Sequence, residues 1–128
     1  DLRCIDGESM QYTKYSEGQF YGWHNDAGLV GQYKPVAIGN REQGRAQDFM
    51  NENLELVRKL SFAMQLSDPD DYEGGNVQLL DEMGKSYFVP RKRGTIVLFD
   101  SRTMHRVQKV KKGVRKSIVG WTVGPRWK

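Results

Sequence analysis

Short runs in which apolar and polar positions alternate dominate the chain, and glycine-bearing clusters punctuate them, a pattern that predicts strands joined by turns. Met10 to Tyr15 alternates around Tyr12, Ser16-Glu17-Gly18-Gln19 supplies turn residues, and Phe20 to His24 resumes the alternation, so this stretch predicts a hairpin. From Asn25 to about Asn53 the chain turns polar and glycine-rich with no sustained period, which predicts a long functional loop or a disordered segment. Leu54 to Ser67 predicts a long strand with Leu60, Phe62, Met64 and Leu66 on one face and Ser61, Ala63 and Gln65 on the other. A helical start over Asp48 to Val57 is the alternative there. Ser67 to Gly75, with Pro69 and paired glycines, predicts a chain reversal. Asn76 to Leu80, Ser86 to Val89, Thr95 to Phe99, Met104 to Val110 and Val114 to Val123 then follow as strands, the last two separated by a turn at Lys111-Lys112-Gly113. The expected fold is mostly β, a sandwich, jelly roll or barrel, with no internal repeat.

Length and composition narrow the function classes. A chain of 128 residues supports one domain, residues 1–128, able to fold around its own core. Cys4 is the only cysteine, which excludes a disulfide scaffold and a four-cysteine zinc site and fits a reducing compartment, read as the cytoplasm, or the host cytoplasm for a viral source. No apolar run approaches the roughly 20 residues needed to span a bilayer, so no membrane partner is expected. The chain opens on Asp1 rather than methionine, and an upstream segment is expected to be missing. A formal charge of +4 permits an anionic ligand without demanding nucleic acid, which is not expected as a partner. The basic runs Arg91-Lys92-Arg93 and Lys109 to Lys116 read as solvated turn or edge-strand faces, with Arg115 set apart.

Two histidines carry the candidate chemistry. His24-Asn25-Asp26 places an imidazole and a carboxylate two positions apart, so in extended backbone both start on one face and can converge on one ion; alone, the pair is equally a surface turn. His105 opens a later strand that a jelly roll can bring alongside. Two imidazoles and one carboxylate on one side of a metal form the facial arrangement of non-haem Fe(II) oxygenases, with zinc hydrolysis as the chemical competitor. Arg115 follows, with Ser117, Val119 and Trp121 at period 2 on its face; a guanidinium grips a carboxylate through two parallel hydrogen bonds, and a nearby serine hydroxyl can add to the same anion.

With these residues in place the sequence resembles the 2-oxoglutarate- and Fe(II)-dependent dioxygenases of the prolyl 4-hydroxylase type, particularly the bacterial and phage hydroxylases called PKHD-type. The likeness runs from about Tyr12 to Trp121. It rests on Tyr15 to Asp26, on Leu66-Ser67-Asp68-Pro69-Asp70-Asp71-Tyr72-Glu73-Gly74-Gly75-Asn76-Val77-Gln78-Leu79, on Arg93 to Phe99, and on His105-Arg106-Val107. The resemblance implies a double-stranded β-helix (jelly roll, cupin-like), with His24, Asp26 and His105 as iron ligands and Arg115 as partner of the distal carboxylate of 2-oxoglutarate. It implies Tyr21 as a further donor to that carboxylate, and puts Gln65 where some relatives carry another cosubstrate-binding tyrosine. Trp121 matches an inward aromatic of the pocket, read as packing. The implied cofactors are Fe(II) and 2-oxoglutarate, with ascorbate as an optional addition, and the implied partners are O2 and an unidentified peptidyl-prolyl or small-molecule substrate. Succinate and CO2 would be the co-products. The family's N-terminal helices have no counterpart here, so a lost segment or a second copy of the chain is expected to cover one sheet. Two rivals stand beside this reading: a nucleic-acid demethylase of the same superfamily, which would carry a second arginine where Trp121 stands, and a non-catalytic jelly-roll binding module.

Overall fold

A computed structural model describes residues 2–33 and 54–127. Its strands are β1 (Asp6–Gly7), β2 (Gln11–Tyr15), β3 (Tyr21–His24), β4 (Leu29–Tyr33), β5 (Leu54–Gln65) and β6 (Tyr72–Gly74) in the first part. β7 (Val77–Leu80), β8 (Ser86–Phe88), β9 (Ile96–Asp100), β10 (Met104–Val107), β11 (Val110–Gly113) and β12 (Arg115–Pro125) follow, and a 3-10 turn spans Pro69–Asp71. Every pairing is antiparallel. The large sheet has β12 and β5 at its centre, with β1 and β2 on the outer side of β12 and β4 and β9 on the outer side of β5. A second sheet runs β3, β10, β7, β8, and β11 pairs with β6. The two larger sheets enclose a cavity between them, the layout of a double-stranded β-helix.

Alternation along β5 and β12 decides what faces inward. Ser61, Ala63 and Gln65 pair with Trp121, Val119 and Ser117, and this mostly polar row turns toward the cavity side. The opposite row, Tyr12, Ile118, Met64 and Ile96 in register across four strands, lies on the outer face, where Tyr12, Ile96 and Leu98 are exposed. The apolar side of β5 is therefore the less buried one.

Several elements differ from the sequence expectation. β2 and β3 do not form a hairpin: β2 pairs with β12 and β3 with β10, in different sheets. The Ser16–Gln19 turn instead crosses between sheets, pinned where the Gly18 N–H donates to the Val110 carbonyl and the Val110 N–H to the Gln19 carbonyl. The expected loop from Asn25 contains β4, which pairs with the start of β5; residues 34–53 lie outside the described residues, and the described part of the alternative helical start over Asp48 to Val57, residues 54–57, is strand. Met104 to Val110 is not one strand but breaks after Val107, and Lys111-Lys112-Gly113 is not a turn but most of β11, held by β6. Gly113 closes that ribbon at φ +78, where a Cβ would run into the Asp71 carbonyl. Arg91 departs from the solvated reading of its run. It donates to the carbonyls of Gly74, Pro69 and Tyr72 and to Asn76 Oδ1, with its guanidinium 4.1 Å over the Tyr72 ring, and so fixes the reversal between β5 and β7.

Candidate functional site

Strand register assembles the cavity, whose volume is about 280 Å³. The inward positions of β12 supply Arg115, Ser117, Val119 and Trp121, as their period-2 spacing predicts, and β2 adds Gln11, Thr13 and Tyr15. From the facing sheet, β3 contributes Tyr21 and His24 and β10 contributes His105 and Val107.

His24 and His105 are direct cross-strand partners, their rings 4.1 Å apart. Asp26 follows His24 past the end of β3, and its N–H donates to the Ser101 carbonyl at 2.8 Å. The Nδ1 of His24 lies 2.7 Å from the Gly22 carbonyl and that of His105 lies 2.9 Å from the Thr103 carbonyl. A carbonyl only accepts, so each Nδ1 carries a proton and each ring turns its Nε2 inward. Both Nε2 atoms point at Asp26 Oδ1, from 3.6 Å for His24 and 3.3 Å for His105, and the three ligand atoms lie within 4.8 Å of one another. Asp26 Oδ2 accepts from Ser61 Oγ at 2.6 Å and from Trp121 Nε1 at 3.0 Å. Ser61 Oγ in turn meets Ser101 Oγ at 2.9 Å. One carboxylate oxygen is thus held by protein donors while the other faces the histidines.

Burial alone would raise the Asp26 pKa, but hydrogen bonds from His105, Ser61 and Trp121 outweigh it and hold the carboxyl well below the usual carboxylate range. Burial likewise opposes protonation of His105, yet Asp26 and the Thr103 carbonyl raise its pKa above the ordinary histidine value. For His24, burial and the neighbouring His105 win, and its pKa is lowered. Two imidazole nitrogens and one anionic oxygen, each braced from behind, fit a divalent transition metal bound on one face once His105 has given up its Nε2 proton.

Arg115 opens onto the same cavity and is only 2 % exposed. Its Nη2 donates to Gln65 Oε1 at 2.9 Å, its Nη1 reaches Ser117 Oγ at 3.4 Å, and its Nε is buried without a hydrogen-bond partner among the described residues. Among the described residues no carboxylate pairs with it. A buried guanidinium without an anion is costly, so the arrangement favours an anion arriving from the cavity. Gln65 spends its Oε1 on Arg115 and its Nε2 on the Pro90 carbonyl, so it aims the guanidinium. Ser117 Oγ also shares a hydrogen bond with Thr13 Oγ1 at 2.5 Å. Tyr21 stacks its ring on His24 at 3.7 Å.

Trp121 is more than the packing aromatic the sequence suggests, since its N–H orients Asp26 and Arg58 lies 3.9 Å over its ring. Sequence reasoning does not single out Ser61, Ser101 or Tyr15 as site residues. Ser61 shows one signal, a place beside Gln65 on the polar face of a long apolar strand. Tyr15 lines the cavity near Arg115, its pKa raised by burial and by Tyr21 against the opposing pull of the guanidinium; nothing local marks it.

A family model described as the 2OG-Fe(II) oxygenase superfamily matches residues 10–123. Among curated relatives, a PKHD-type hydroxylase of Parvibaculum lavamentivorans is 31% identical over 109 residues, 85% of this chain and 39% of that protein. A PKHD-type hydroxylase of Synechococcus elongatus is 35% identical over 116 residues, 88% of this chain and 42% of that protein. The chain therefore spans about two-fifths of the length of the curated relatives it matches. Among solved structures, a Pseudomonas putida prolyl-4-hydroxylase superposes with TM-score 0.63 at 22% identity, over 98% of this chain and 56% of that one. The truncated viral collagen prolyl hydroxylase of Paramecium Bursaria Chlorella virus-1 gives 0.61 at 19%, over 94% and 57%.

Proposed function

Because the chain belongs to the 2OG-Fe(II) oxygenase superfamily, we propose that it is the catalytic portion of a 2-oxoglutarate- and Fe(II)-dependent hydroxylase. The observation that carries this reading is a single cavity lined both by the cluster of His24, Asp26 and His105 and by a buried Arg115 whose Nε has no partner. In this reading His24 Nε2, Asp26 Oδ1 and His105 Nε2 hold the iron, which when bound supplies the redox chemistry that couples decarboxylation of 2-oxoglutarate to hydroxylation. Arg115 binds the distal carboxylate of 2-oxoglutarate, Ser117 and Tyr21 flank it, and Gln65 keeps the fork aimed. Substrate, O2 and 2-oxoglutarate go in; hydroxylated product, succinate and CO2 come out. Ascorbate would serve as an optional reductant. A peptidyl prolyl or a small molecule is the substrate, nucleic acid is not, and the lone cysteine suits a reducing cytoplasm. The apolar residues Tyr12, Ile96 and Leu98 exposed on the outer face of the large sheet support association with a second copy.

The test is succinate formation by the chain with Fe(II) and 2-oxoglutarate, read across a panel of prolyl peptides and free amino acids. Succinate that requires both additions, with a substrate gaining one oxygen by mass, is the expected result. A chain that binds the metal yet turns over no 2-oxoglutarate with any substrate would return it to the binding-module class.

Metal affinity should also depend on pH with a defined sign. His105 has a raised pKa and must lose its proton to bind a metal, whereas Asp26 and His24 have already lost theirs at neutral pH. Below the His105 pKa the dissociation constant should rise about tenfold per pH unit, the slope for one proton, and above that pKa it should level off. Co(II) titrations across the neutral range check this. A slope of two protons near neutrality would contradict the assignment of charges.

A further inference from the structure

The turn between β9 and β10, residues 100–103, braces two of the three clustered groups. The Ser101 carbonyl accepts the Asp26 N–H, Ser101 Oγ meets Ser61 Oγ, and the Thr103 carbonyl holds His105 Nδ1. The turn is itself held from outside the cavity. The Ser101 N–H donates to the Lys59 carbonyl at 3.0 Å, and Arg102 grips the Asp100 carboxylate through Nε at 3.0 Å and Nη2 at 2.7 Å.

The guanidinium of Arg102 lies 3.9 Å over the Trp127 ring, and Lys59 Nζ lies 4.1 Å from the same ring. Lys59 sits where the β5–β12 register slips, between the paired Leu60 and Arg58, and is 0 % exposed. Burial lowers its pKa, and Arg102 and Arg3 push the same way against the opposing pull of Cys4 and Asp100. The negative face of an indole offsets that repulsion. Trp127 Nε1 is buried with no hydrogen-bond partner among the described residues, so the side chain serves here as an aromatic face and not as a donor. Trp127 lies beyond residue 123, where the family match ends.

We propose that Trp127 is a positioning residue for the metal-ligand cluster: its ring, held by Lys59 and Arg102, fixes the 100–103 turn that aims Asp26 and His105. The proposal rests on the reading of His24, Asp26 and His105 as metal ligands. Removing the ring takes away the aromatic face that Arg102 and Lys59 share, leaves the Asp100 carboxylate to offset both cations, and loosens the turn that carries the Ser101 and Thr103 carbonyls. Outer partners of this kind typically govern metal affinity by 10–100-fold.

The experiment is Co(II) titration of the whole chain, wild type against Trp127→Leu, Trp127→Phe and Arg102→Gln, with the ligand-field absorption of bound Co(II) recorded in parallel. Leucine and phenylalanine both remove the indole N–H, but only phenylalanine keeps an aromatic face. Trp127→Leu should raise the dissociation constant by about tenfold or more and shift the Co(II) bands, while Trp127→Phe stays near wild type. Arg102→Gln should weaken binding as well, and the double variant with Trp127→Leu should add little, as two parts of one device do. Equal affinities for the leucine and phenylalanine variants overturn the proposal. If Trp127→Leu does not fold, Arg102→Gln decides alone, because it alters a half-exposed side chain: wild-type affinity there overturns the clamp. A wild-type chain that takes up no Co(II) fails the metal reading itself, a result distinct from a wild type that binds while all variants match it.

Discussion

Asp26→Asn is expected to lose metal binding as completely as Asp26→Ala, with the dissociation constant raised by about 100-fold or more, since even partners behind a ligand are worth 10–100-fold. The near-isosteric change fails because of the donors behind the carboxylate. Ser61 Oγ and Trp121 Nε1 both donate to Asp26 Oδ2. An asparagine must turn its carbonyl oxygen toward those two donors, which leaves its NH2 facing the histidine Nε2 atoms where the metal would sit. The variant thus loses the one anionic ligand and puts a donor in its place. Alanine removes the ligand and also strands the Trp121 N–H, at a cost of about 1–3 kcal/mol, while Ser61 Oγ keeps Ser101 Oγ as a partner. Metal titration of both variants, with unfolding curves alongside, separates the two effects: both lose metal, and alanine loses more stability. An asparagine variant that binds within tenfold of wild type would mean that Asp26 is not the ligand.

The period-2 face of β12 was legible from residue types alone, because Arg115, Ser117, Val119 and Trp121 keep one face in any extended conformation and all four reach the cavity. The convergence of His24 and His105 needed more than local pattern. Their cross-strand pairing joins positions 81 apart in sequence, and only the resemblance to a family supplied it. Local turn chemistry misled where strand pairing is decided by distant partners: Ser16-Glu17-Gly18-Gln19 has the composition of a hairpin turn, yet β2 finds β12 and β3 finds β10. Charge-run reasoning failed at Arg91 for a related reason. The carbonyls it satisfies belong to residues 69–74, and nothing near position 91 announces them. Ser61 was hidden by the habit of reading the polar side of an alternating strand as the wet side. Here the polar side lines the cavity, and the apolar side, apart from Phe62 at the cavity wall, looks outward.

Arg115→Lys should weaken 2-oxoglutarate binding by roughly tenfold or more while leaving metal affinity nearly unchanged, given that a hydrogen bond to a charged group is worth about 1.5–3 kcal/mol. The guanidinium is held by Gln65 on Nη2 and approached by Ser117 at Nη1, and its Nε is unpartnered, so its donors are fixed in direction before any ligand arrives. A carboxylate meets such a fork along two parallel bonds, whereas an ammonium keeps the charge but offers no planar pair of donors. Lysine is also more easily discharged by burial than arginine, and burial already lowers the Arg115 pKa. Gln65 would lose the donor that holds its Oε1, so the loss extends beyond one contact. Metal affinity should hold, because Arg115 touches none of His24, Asp26 and His105 and the bonds that brace those residues do not pass through it. The measurement is a titration of metal-loaded wild type and variant with 2-oxoglutarate, with metal content assayed in parallel. Equal affinities would detach Arg115 from the cosubstrate and leave its buried, half-satisfied guanidinium as a structural feature of the large sheet.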